Sequence, residues 1–196
     1  MNKAKLTHPE QARCRKELED LIAQGARPKY LFFWGHTPKV NGRIDQSCLS
    51  NWFPAPFFID SARYPTTEHY MMAEKARLFD DAECFAKIIV ASSPAAAKRL
   101  GREVRNFDEM KWIEHRFEIV VAGNFEKFRQ NDNLGDFLIQ TGTKVLVEAS
   151  PRDRIWGIGM GKDNPKAANP KKWNGMNLLG FALMEARARI LFEKVA

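Results

Sequence analysis

No stretch of this 196-residue chain approaches the run of about eighteen consecutive apolar residues that a membrane-crossing helix needs. The opening stretch, MNKAKLTHPEQARCRKELED, lacks the apolar core of a secretory signal, so a soluble, cytoplasmic protein with no membrane partner is expected. Cysteine is scarce. Cys14, Cys48 and Cys84 are odd in number, widely spaced and without a CxxC pair, which argues against both a disulfide framework and a thiolate metal site. His8, His36, His69 and His115 show no ligand spacing, and no metal is expected. GxxxxGK[ST], HExxH, GxSxG and a strand-linked GxGxxG are all absent. GIGMG at 157–161 is glycine-rich, but nothing sets it between a strand and a helix. There is no internal repeat, low-complexity tract or interdomain linker, so one domain is expected.

What is present is an ordinary globular composition, 44% hydrophobic and 28% charged, with length enough for one sizeable core. The net charge of +7 favours anionic partners: small phosphates, a nucleotide or nucleic acid. The basic residues are spread along the chain rather than gathered in a tail. Helix formers over 9–24, ending near Gly25 and Pro28, predict a peripheral N-terminal helix. KYLFFW (29–34) and a segment around 57–59 read as strands. Thr67 is placed to cap the next helix. Ser93-Pro94 opens another that Gly101 closes, with a hydroxyl cap, proline in the first turn and glycine beyond the last.

Met110, Ile113, Phe117, Val120, Val121, Phe125 and Phe128 lie near helical spacing over 108–129, with Gly123 as a point of interruption. A helix follows over 132–142, and then a strand, KVLVEAS, that turns Val145, Val147 and Ala149 inward. The glycine-, proline- and asparagine-rich segment 150–177 is a long loop of the kind that carries function. A last helix over 177–194 buries Leu179, Leu183, Ala186 and Ile190.

In YPTTEHYMMAEKARLF (64–79), helical spacing puts Glu68 and Lys75 on one face with Met71, Met72 and Phe79, and leaves Glu74 and Arg77 opposite. A charge inside an apolar stripe means a mutual ion pair, a ligand cleft or a misread helix. LSNWFP (49–54), PTTEHY (65–70), EASPRDRIWGIG (148–159) and WNGMNLLG (173–180) each join an aromatic to Asn, Asp, Glu or Gly. Such mixtures suit a pocket in which a planar base stacks on a ring while amides and carboxylates read its edges. The plainer alternatives are turn or cap roles for Asn51, Asn174 and Asn177, close packing at Gly157 and Gly180, and a core position for Trp156.

Taken in order, LSNWFP, PTTEHYMMAEKA, SSPAAAKRLGR, Trp112 with its aromatic helix, QTGTKVLVEASPRDRIWGIG and NGMNLLG resemble the YbiA-like family of the NADAR superfamily over roughly residues 30–192. The resemblance implies a single compact, helix-dominated α+β domain with a few short strands. It implies an N-glycosidase that hydrolyses ribosylamino-pyrimidine 5′-phosphates, early intermediates of riboflavin synthesis. Related members remove ADP-ribose from guanine bases, so an ADP-ribosyl-guanine hydrolase acting on nucleic acid, or a non-catalytic ADP-ribose or nucleotide-binding module, stands beside it. The chain departs from the family at residues 1–28, expected as a helical extension ahead of a YbiA-like domain at 29–196. It departs again at MGKDNPKAANPKKW (160–173), an insertion with four lysines that bears on substrate identity.

These substrates join ribose C1 to an exocyclic amine, and cleavage through an oxocarbenium-like ion or an opened imine needs a carboxylate. Neither a metal nor a cofactor is required. Glu68 is the first candidate for that carboxylate. Lys75, about two turns on, either anchors phosphate or attacks the opened C1. Asp153 is the second carboxylate, with turn capping as its alternative. Trp112 and Trp156 are candidates to stack on the base, and Asn51, Asn174 and Asn177 to bond base edges or sugar hydroxyls. Arg116, Arg152 or Arg154 would take the phosphate. Ser50, Trp52, His69 and Gly157 complete the expected substrate-binding set.

Overall fold

A computed structural model describes residues 6–195. Helices predominate, with four short strands, so the α+β expectation holds. The elements are α1 (Arg15–Ala23), β1 (Tyr30–Phe33), β2 (Phe57–Ile59), β3 (Ala62–Tyr64), α2 (Thr67–Leu78), α3 (Ala82–Ile89), α4 (Pro94–Leu100), α5 (Glu109–Arg129), α6 (Asp132–Gln140), β4 (Val145–Glu148) and α7 (Leu178–Val195). The described residues group into two compact units, residues 6–34 with 137–195, and residues 35–136. Among the described residues no helix is long and apolar enough to cross a membrane.

In the first unit β1 and β4 pair in parallel, Tyr30 opposite Val145 through Phe33 opposite Glu148. The alternation expected of β4 gives way to burial on both faces: Leu146 is as enclosed as Val145 and Val147. The cause is α7. A Cβ on Gly180 would stand 2.0 Å from the Leu146 carbonyl oxygen, so this helix lies against the strand at a distance only glycine allows. Leu179, Leu183, Ala186 and Ile190 are all buried, as their spacing requires. Arg187 is also buried, and donates to Thr141 Oγ1 at 2.6 Å and to the Lys144 carbonyl at 3.2 Å. The expected helix over 9–24 is split into a 3-10 turn, Pro9–Gln11, and α1, because Cys14 is extended between them. Arg15 of α1 donates to the Trp173 carbonyl at 2.8 Å.

In the second unit α2 packs against α3, α4 and α5, and for this reason its residues from Thr67 to Ala73 are buried. The N-cap is Thr66 rather than Thr67: Thr66 Oγ1 accepts from the His69 backbone, and Thr67 lies inside the first turn. The strand β3, too short to show alternation, pairs with β2 through a turn with Asp60 and Ser61 at φ 47° and 67°. Ser93 caps α4 by accepting from the Ala96 amide at 3.1 Å. Gly101 follows it with φ −61°, so its role is room rather than handedness: a Cβ there would meet Met72 Sδ at 2.1 Å. Gly123 does not interrupt α5. It admits Tyr70, whose Cδ1 would be 2.5 Å from an added Cβ. Met110 and Ile113 are exposed, and the buried stripe of α5 begins only at Arg116.

Candidate active site

Glu68 sits in the first turn of α2, 2% exposed, and its amide donates to the Asn51 carbonyl at 2.9 Å. Capping at Thr66 fixes where that turn begins. Two turns of an α-helix separate Glu68 from Lys75, and the cation that faces the carboxylate comes from elsewhere. Lys98 of α4 places its ammonium 4.0 Å from Glu68 Oε1, within ion-pair range but beyond a hydrogen bond. The same ammonium stands 5.8 Å from the centroid of the Trp52 ring, which His36 approaches at 5.7 Å. A nearly enclosed carboxylate, a half-exposed ammonium and an indole thus come together. Lys98 was not among the residues the sequence singled out. PAAAKRL reads as a capped helix and carries no sign that α4 lies along α2.

Lys75 donates to the Gly101 carbonyl at 2.7 Å, and its ammonium lies 4.0 Å from the Phe107 ring centroid and 5.8 Å from that of Trp112. Burial lowers its pKa. This is a second cation, framed by two aromatic rings rather than by Glu68. Arg116, one turn beyond Trp112 on α5, is buried, and burial lowers its pKa as well. His69 is 1% exposed and satisfied within the protein: Nδ1 meets Thr66 Oγ1 at 2.8 Å and Nε2 meets the Ala91 carbonyl at 3.1 Å. A carbonyl only accepts, so Nε2 carries the proton, and burial keeps the ring neutral by lowering its pKa. The expected substrate contact at His69 is therefore replaced by a structural tie between α2 and the end of α3. Asn51 is 5% exposed and accepts from Asn124 Nδ2 at 3.1 Å; Ser50 Oγ accepts from the Trp52 amide at 3.1 Å.

In the other unit, Asp153 takes the turn-capping role that was its alternative. Its Oδ1 accepts from the amides of Ile155 and Trp156 at 2.8 and 2.7 Å, while Oδ2 has no protein partner among the described residues. Trp156 is half-buried. Gly157 is there for close packing, since a Cβ would stand 2.9 Å from the Glu148 carbonyl and 3.0 Å from Ser150 Cβ. Asn177 is fully buried with φ 57°; it accepts from the Glu148 amide and donates to the Leu146 carbonyl, both at 2.9 Å. Its amide thus joins β4 to the start of α7 from both ends, inside the protein and away from solvent. Asn174, Arg152 and Arg154 are exposed.

This arrangement of helices and strands is that of a solved α+β protein. The solution structure of YbiA from Escherichia coli superimposes with a TM-score of 0.67 and 28% identity, over 87% of this chain and 89% of that one. A match to the NADAR domain spans residues 32–191, and the chain belongs to the NADAR family. An N-glycosidase, R617, from Acanthamoeba polyphaga mimivirus is 44% identical over 164 residues, 81% of this chain and 95% of that protein. The N-glycosidase YbiA of Escherichia coli strain K12 is 32% identical over 151 residues, 76% of this chain and 85% of the relative. With such relatives the chain is placed among the N-glycosidases, which are hydrolases.

Proposed function

We propose that this protein hydrolyses the C1–N bond of a ribosylamino-pyrimidine 5′-phosphate, an intermediate of riboflavin synthesis. The supporting observation is the Glu68 carboxylate, 2% exposed and faced by Lys98 beside the Trp52 ring. Breaking the bond leaves its electron pair on the departing amine, and water adds at C1. A desolvated carboxylate stabilises the cationic C1 and relays the water proton toward that amine. Trp52 offers a face for the base, and Lys98 and Lys75 are the cations for the phosphate. Lys75, with its lowered pKa, is also a candidate to attack the opened C1. A relative from Vibrio vulnificus, 32% identical over 142 residues, is named a riboflavin biosynthesis protein, and this chain spans 35% of its length. Incubation with the ribosylamine should release ribose 5-phosphate and the aminopyrimidine. Glu68→Gln should remain folded and lose about 10²–10⁴-fold in turnover. Unchanged turnover in that variant would end this reading.

A second reading, removal of ADP-ribose from guanine in nucleic acid, is favoured by one observation. Lys162, Lys166, Lys171 and Lys172 of the insertion are all exposed. Release of ADP-ribose from modified duplex, with no turnover of the ribosylamine, would establish it instead.

A further inference from the structure

We infer that Lys127 and Asn124 of α5 are positioning residues that hold the loop Ser50–Asn51–Trp52 against the first turn of α2, and so set Trp52 relative to Glu68. The inference rests on the site proposed above. Lys127 is fully buried, and its ammonium donates to the carbonyls of Cys48 at 2.6 Å and Ser50 at 2.9 Å. Cys48 belongs to a 3-10 turn, Gln46–Leu49, that Ser50 ends. Lys127 Nζ therefore joins the last turn of that 3-10 segment to the Ser50 carbonyl, which also accepts from the Phe53 amide at 3.2 Å. The rings of Phe128 and Phe53 enclose it, with centroids at 4.9 and 5.7 Å.

Asn124, three residues earlier on the same helix face, donates from Nδ2 to Asn51 Oδ1 at 3.1 Å and to the Val120 carbonyl at 3.0 Å. Asn51 is thus gripped twice, its side chain by α5 and its carbonyl by the Glu68 amide of α2. Trp52 is the next residue, its own amide tied to Ser50 Oγ. The loop that carries the indole and the turn that carries the carboxylate therefore share one anchor.

Stability alone does not call for these residue types. A buried ammonium is costlier than a leucine of similar volume, and Asn124 Oδ1 is buried with no hydrogen-bond partner among the described residues. What leucine lacks is the ability to draw two carbonyls, two residues apart, toward one point. That fixes the curvature of the loop.

The test uses Lys127→Met, Asn124→Leu and Trp52→Ala, each read by thermal unfolding, by kcat and KM on the ribosylamine, and by the indole N–H resonance of Trp52 in ¹⁵N-labelled protein. Cooperative unfolding is expected in all three. In Lys127→Met and Asn124→Leu the Trp52 resonance should move while that of Trp173 stays, and kcat/KM should fall about tenfold, approaching the loss in Trp52→Ala. If Trp52→Ala is impaired while the two α5 variants show an unmoved resonance and wild-type kcat/KM, the anchor is overturned and the site stands. If Trp52→Ala keeps wild-type kcat/KM, the proposed site fails, and the Trp52 resonance alone then decides whether the loop is held from α5. Should Lys127→Met not fold, Asn124→Leu, which removes a single neutral anchor, carries the same readouts.

Discussion

Glu68, Lys75 and Lys127 are three ionisable residues buried or half-buried in one unit, each held in a different way. Glu68 faces a lysine at ion-pair distance, Lys75 a carbonyl and two aromatic rings, and Lys127 two carbonyls and two rings. The difference is measurable as pH dependence. Burial pushes the Lys127 pKa from 10.5 down to about 7. Between those values the unfolded chain keeps a proton that the folded chain has released, so this group makes stability rise with pH across that window. Urea unfolding at pH 7, 8 and 9 should show a component of up to about 1.4 kcal/mol per pH unit that Lys127→Met lacks. The comparison within one pH series cancels Tyr70, whose raised pKa acts in the opposite sense at higher pH, while Cys48, which Lys127 itself influences, is kept out by reading the slope between pH 7 and 8. At Lys75 the two roles left open separate chemically. Borohydride reduction during turnover should add one ribose phosphate to the protein at Lys75 if the amine attacks C1, and add nothing if it only anchors phosphate.

Within single elements, capping chemistry was legible and close packing was not. Ser93 and Pro94 open α4 where their types require it, whereas Gly101 follows it for room against Met72, and Ser93→Ala should cost about 1 kcal/mol in thermal or urea unfolding. Gly123 reads as a helix breaker when only propensity is considered, yet α5 runs through it, because Tyr70 of α2 occupies the space a side chain would fill. Gly123→Ala should therefore destabilise by about 1–3 kcal/mol, although propensity by itself predicts a gain of about 1 kcal/mol. A more stable variant would mean that α2 and α5 lie farther apart than 2.5 Å from Cβ to ring allows. Met110 and Ile113 fit the helical period of α5 and are nonetheless exposed, since period fixes a face but not how far along the helix a neighbour covers it.

For the whole molecule, net charge and chemistry give opposing expectations that salt resolves. A net charge of +7 with Lys162, Lys166, Lys171 and Lys172 exposed favours long polyanions, whereas the ribosylamine proposed as substrate is a single phosphorylated ring. Turnover of the ribosylamine should change by less than about threefold between 50 and 300 mM salt, because a partly buried site is weakly screened. Binding of duplex nucleic acid through several phosphates would fall by orders of magnitude over the same range. A steep salt dependence of ribosylamine turnover would count against the enclosed site. The N-terminal residues, which the sequence sets apart as an extension, meet C-terminal elements: Arg15 bonds the Trp173 carbonyl, and Arg13 stands 3.7 Å from Glu185.

By itself, the sequence determined the N-terminal cap of α4, the buried stripe of α7 and the place of Glu68 on a helix face, while the α+β class came from its resemblance to a family. The cap, the stripe and the helix face follow from local chemistry, from residue type and from a repeat of 3.6. Only the tertiary structure decided that Lys98 rather than Lys75 faces Glu68, that His69 and Asn177 are spent on internal bonds, and that Gly123 and Gly180 are points of contact. These depend on which helix lies beside which, and a side chain's partner across a packed interface leaves no mark on the spacing of its own element.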